Sequence, residues 1–89
     1  MQKNLKKKVS LYLEKATPLF ENIQLCKPEN FDLNRISYEF YEMAICYYKD
    51  AKHFFSKGEY ENALAALEYA EGWLDAGRKL GIFKIKEKK

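Results

Sequence analysis

The chain holds one histidine, two cysteines and thirteen acids, and their spacing decides which chemistry is open to it. His53 stands in "DAKHFF", with Asp50 one turn before it and Lys57 one turn after. Proton transfer or metal ligation needs partners: a second histidine, an activated cysteine, or paired carboxylates on facing helices. Di-metal sites in helical bundles use two Glu-x-x-His motifs, whereas this chain offers one Asp-x-x-His. Cys46 and His53 would share a helix face but lie about 10 Å apart along its axis, beyond direct contact. A surface or interhelical role is expected for His53 and packing for Cys46. No catalytic, cofactor-binding or metal-ligating residues are expected, and the chain is not expected to be an enzyme.

The acids Glu61, Glu68, Glu71 and Asp75, with Glu39 and Glu42, could form a site for a basic partner or a divalent ion. A solvated helix face explains them more simply, with Lys79 and Arg78 as helical neighbours of Asp75 and Glu71. Asp75 stands out because "GWLDAG" sets it beside Trp73 and two small residues, where partial burial and a hydrogen bond are expected.

The net charge of +3 is unevenly spread: residues 1–8 carry +4, residues 84–89 carry +3, and the body between them carries −4. In an up-down-up bundle the two lysine clusters fall at opposite ends, roughly 30 Å apart, and cannot form one phosphate-tracking stripe. Nucleic acid is therefore disfavoured as a partner. The basic start "MQKNLKKK" is followed by charged rather than apolar sequence, and no run approaches the roughly 20 apolar residues of a membrane span. No membrane association is expected; a cytoplasmic location and free thiols at Cys26 and Cys46 are.

What must position these residues is helical. Leu, Ala, Glu and Lys dominate, while Val and Thr occur once each, against the needs of strands. In residues 4–25, Leu5, Val9, Tyr12, Ala16, Leu19 and Ile23 recur at steps of three and four, predicting one helix kinked at Pro18. "CKPENFDLN" is a connection, with Pro28 as a stop and Asp32 or Asn34 as a cap. Helix two then runs to about Lys57, with Ile36, Phe40, Met43, Tyr47, Ala51 and Phe54 on one stripe and Tyr41, Ala44, Tyr48 and Phe55 on the next. Gly58 ends it, helix three begins almost at once, and Gly81 ends that. So short a connection forces helices two and three into an antiparallel hairpin. Helix one must then close the bundle. The expected fold is an all-α, up-down-up three-helix bundle spanning residues 1–83, followed by a basic tail at 84–89.

Tyr47, Ala51, Phe54, Gly58, Tyr60, Ala63, Leu67 and Ala70 reproduce the spacing of one tetratricopeptide repeat, so the hairpin is expected to be tetratricopeptide-like. Asp75 stands where that repeat closes with proline, and no second copy is present. The longer run "YYKDAKHFFSKGEYENALAALEYAEGWLDAGRKLGIF" more closely resembles an archaeal family known only as domain of unknown function 357. The "KG-Y-NAL" turn, the "EYA-GWLDAG" stretch and the closing "LG-F" carry the likeness. That resemblance implies a small three-helix bundle in an archaeal cytoplasm and implies no activity.

Apolar residues on helices two and three exceed what two facing helices need, so an aromatic surface is expected at Tyr41, Tyr48, Phe55, Tyr69, Trp73 and Leu80, with Asp75 beside it. It suits a non-catalytic interaction or scaffold module, met by a helical protein partner or a second copy in a homodimer. The alternative is a nucleotide- or RNA-binding accessory domain using the lysine-rich ends and Tyr/Trp contacts.

Overall fold

A computed structural model describes residues 2–26 and 31–86, in the order α1 (Gln2–Phe20), β1 (Ile23–Leu25), α2 (Phe31–Ser56), α3 (Tyr60–Lys79) and β2 (Phe83–Ile85). The connection around Pro28 lies outside the described residues. Asp32 and Asn34 fall inside α2 rather than at its cap.

The two glycine stops are built alike. Gly58 and Gly81 have φ of 78° and 77°, where a side chain would be strained. At the first, the Gly58 N–H donates to the Phe55 carbonyl and the Glu59 N–H to that of Phe54; at the second, Gly81 donates to Arg78 and Ile82 to Gly77. Both are Schellman closures, satisfying carbonyls that a helix end would orphan. The chain thus reverses within Lys57–Glu59, and α3 starts with the Ala63 N–H closing onto the Glu59 carbonyl.

Small residues bring the hairpin together. Ala44 and Ala51 of α2 share one buried cluster with Ala66, Leu67, Ala70 and Leu74 of α3. Alanines at helical spacing let two backbones approach while leucines fill the flanks.

α1 covers one side of this hairpin through Val9, Ala16 and Phe20, all buried. It continues through Pro18 as one helix. The helix predicted to reach residue 25 instead stops at Phe20, where the Asn22 side-chain amide donates to the Pro18 carbonyl. Ile23–Leu25 then pairs antiparallel with Phe83–Ile85, in register Ile23 to Ile85 and Leu25 to Phe83. Each strand alternates apolar, polar, apolar, a period of two that a helical stripe does not have. Lys84 and Ile85, expected in a basic tail, belong to this ribbon. Because the strands leave the ends of α1 and α3 and pair, those helices run the same way with α2 against them, the up-down-up order.

Gly77 makes the ribbon possible. A Cβ there would overlap the ring of Phe83, which is buried against α3 and meets Tyr41 edge-on at 6.4 Å.

Candidate partner-binding face

The aromatic residues of α2 and α3 divide between two sides of the hairpin, and the contacts of α1 tell the sides apart. Tyr48 is 3% exposed; its ring stacks on Phe20 at 4.8 Å and its hydroxyl donates to Thr17 Oγ1 at 3.0 Å. The Thr17 hydroxyl in turn donates a hydrogen bond to the Leu13 carbonyl. Tyr48 is therefore the anchor joining α1 to α2 and not a docking residue, correcting its placement on a surface. Tyr41 is likewise half-buried against Phe83, and Phe55 packs on Tyr60 at 5.3 Å. All three α2 residues expected to face a partner are held by the chain's own contacts.

On α3, the α1 side is marked by Glu71, whose carboxylate lies beside the Tyr12 hydroxyl. Burial, then the Glu71 carboxylate and the nearby charges of Glu68 and Asp75, push the Tyr12 hydroxyl pKa well above the tyrosine range. Helix rotation is about 100° per residue, so Tyr69 lies about 200° from Glu71, and Tyr47 about 100° from Tyr48. These residues turn to the side that α1 leaves uncovered.

That side carries a continuous aromatic row. Tyr47 stacks on Tyr69 with centroids 5.2 Å apart, and Phe40 meets Trp73 edge-on at 5.0 Å. Tyr69 nevertheless remains 63% exposed, Met43 36% and Leu80 56%, with Phe40, Tyr47 and Trp73 half-buried. Phe40, Met43 and Tyr47, which periodicity sets on the other α2 stripe from Tyr41 and Tyr48, share this side with Tyr69, Trp73 and Leu80. The apolar arc of α2 is wide enough to face two ways, and its periodicity does not show which side α1 takes. Adjacency to the exposed Tyr69 across the hairpin is the signal that identifies them.

Asp75 is exposed, contrary to the burial expected beside Trp73. It follows Leu74, which is 1% exposed, and one further residue of helix turns it away from the core. With Glu61 and Glu68 it forms a row at intervals of seven, all exposed. Glu68 and Tyr69 line one shallow depression with Ala65, so Glu68 borders the aromatic row. On α2, Asp50 repeats the position of Met43 two turns on, while Asp32 and Glu39 lie seven apart beside it; these too are exposed. Lys57 and Lys79 stand at opposite ends of the hairpin.

Elsewhere the side chains with chemical potential stay scattered. His53 and Cys46 are exposed, correcting the packing role expected of Cys46, while Cys26 is half-buried; both thiols are free. Among the described residues, no group of three or more His, Cys, Asp or Glu side chains could hold a metal ion. No described helix is long and apolar enough to cross a membrane.

Residues 7–83 match the family model described as protein of unknown function (DUF357). The fold is similar to the crystal structure of protein AF1782 from Archaeoglobus fulgidus, with a TM-score of 0.73 and 19% identity over 96% of this chain and 97% of that one. No curated protein matches the chain.

Proposed function

Because the chain belongs to the DUF357 family, whose description assigns no activity, its role must be read from its surface, and we propose a non-catalytic module that binds a protein partner through the open α2/α3 face. The observation carrying this reading is Tyr69, stacked on Tyr47 yet 63% exposed, in a row with Trp73, Phe40 and Met43. Isolated exposed apolar residues need no explanation, but a contiguous row on a helical hairpin is a surface of the kind that receives another helix. The revised surface is Phe40, Met43, Tyr47, Tyr69, Trp73 and Leu80, with Glu68 at its border. Tyr41, Tyr48 and Phe55 serve the fold.

The lysine-rich ends favour no rival reading, because α1 begins at the opposite end of the bundle from β2.

A photo-crosslinking side chain at Tyr69, with a matched control at the exposed Leu11 of α1, tests the proposal in an extract of the source organism. Discrete protein adducts from position 69 and not from 11 are expected. Adducts to nucleic acid alone, or the same adducts from both positions, would overturn it.

A further inference from the structure

The aromatic face is bordered on both helices by acids, and this border bears on what can cover it. Asp32, Glu39 and Asp50 lie along the α2 edge, and Glu61 and Glu68 along α3. None of these five is buried. Glu68 shares a depression with Tyr69, and Asp50 lies on the line of Met43, so charge and apolar area are within reach of one docked element.

A second copy is a poor occupant. In a two-fold contact the same patch meets itself, which would lay the acid borders of one molecule against those of the other. Like charges across an interface act against association, whereas opposite charges steer it and fix its register. A flat sheet edge does not suit the face either: two antiparallel helices offer a lengthwise valley, which matches a helix.

We propose that the α2/α3 face is a docking site for a basic amphipathic helix of a partner protein, its apolar stripe lying on Met43, Tyr47, Tyr69 and Trp73 and its Lys or Arg flanks meeting the two acid rows. This rests on the interaction reading above and adds the partner's chemistry to it. The apolar stripe supplies contact area. The acid rows select against acidic helices and against self-pairing.

Trp73 is the only tryptophan, so it reports occupancy directly. Three tryptophan-free peptides of about 18 residues, about 27 Å long as helices, would carry one leucine stripe flanked by Lys, Gln or Glu. With the intact chain, the Lys peptide is expected to change Trp73 emission saturably, the Gln peptide to bind about tenfold more weakly, and the Glu peptide not to bind. Raising the salt from about 0.05 to about 0.5 M should weaken the Lys peptide most, because exposed charges are screened. Met43→Ser should weaken it about tenfold and Leu11→Ser, on α1, should not. The double variant Glu39→Lys with Asp50→Lys should lose the Lys peptide and accept the Glu peptide, with helical circular dichroism unchanged.

Equal binding of the Gln or Glu peptide, or equal loss in Leu11→Ser, would overturn the basic-helix inference. So would a concentration-dependent dimer at about 0.05 M salt that hides Trp73, or no binding of any peptide. The crosslinking test at Tyr69 stands apart from these outcomes: discrete protein adducts there with no preference for the Lys peptide would keep the interaction reading and remove only the partner chemistry.

Discussion

Gly72 and Gly77 look equivalent as letters in "EGWLDAG" and are opposites in space. A Cβ on Gly77 overlaps the Phe83 ring, while one on Gly72 meets nothing within 4 Å. Gly77→Ala should therefore lower stability by about 1 to 3 kcal/mol through overpacking. Gly72→Ala should raise it by up to about 1 kcal/mol, the helix-interior difference between the two residues. Urea unfolding of both variants checks the pair, and similar effects of one sign would refute it. Tyr12 makes a second residue-scale prediction. The folded chain favours its neutral form, so the contribution is complete below the ordinary value of 10.0 and is lost as pH rises beyond it. Alkaline destabilisation measured above pH about 10 should be smaller in Tyr12→Phe, which has no proton to lose.

At the scale of elements, α2 and α3 are joined by buried alanines along their length, whereas α1 is attached by an anchor at Tyr48, the approach of Tyr12 to Glu71 and the ribbon that follows it. Native-state hydrogen exchange should show α1 amides opening before those of α2 and α3. Hydrogen bonds from Cys26 to Ile82 and from Lys86 to Asn22 make the intervening Gln24 and Lys84 a hydrogen-bonded pair by ladder alternation. Lys84→Pro removes a donor there and should speed exchange in α1 more than in the hairpin; uniform acceleration would mean that the ribbon holds nothing specific. These elements also show what could be read in advance. Gly58 and Gly81, the alanines and the three helices were legible because backbone conformation and helical period are local properties. The ribbon was not, because Ile23 continues the period of the α1 stripe and its true partner is Ile85, sixty-two residues away. The α2 half of the face was misassigned for a related reason. Tyr48 and Tyr47 are adjacent, and only the position of α1 decides which of them is covered.

The whole molecule measures 49 × 29 × 18 Å. Two helix layers with axes about 10 Å apart account for roughly 15 Å of backbone depth, so the shortest dimension accommodates α1 on the hairpin and no third layer. One side of the hairpin is open by construction, and charge governs whether it stays open. The net charge of +3 is misleading here, because the positive excess lies toward the ends of the chain and the open face is bordered by acids. At about 0.05 M salt those borders should repel a second copy, and sedimentation equilibrium should return a monomer of 10.6 kDa. At about 1 M salt the screening length falls to about 3 Å, and apolar contact is no longer opposed. The weight-average mass should then rise with protein concentration. Tyr69→Lys should abolish the rise by removing an exposed ring from the centre of the face. A dimer already present at low salt, or a mass unchanged by salt at millimolar protein, would show that acids do not control access to this surface.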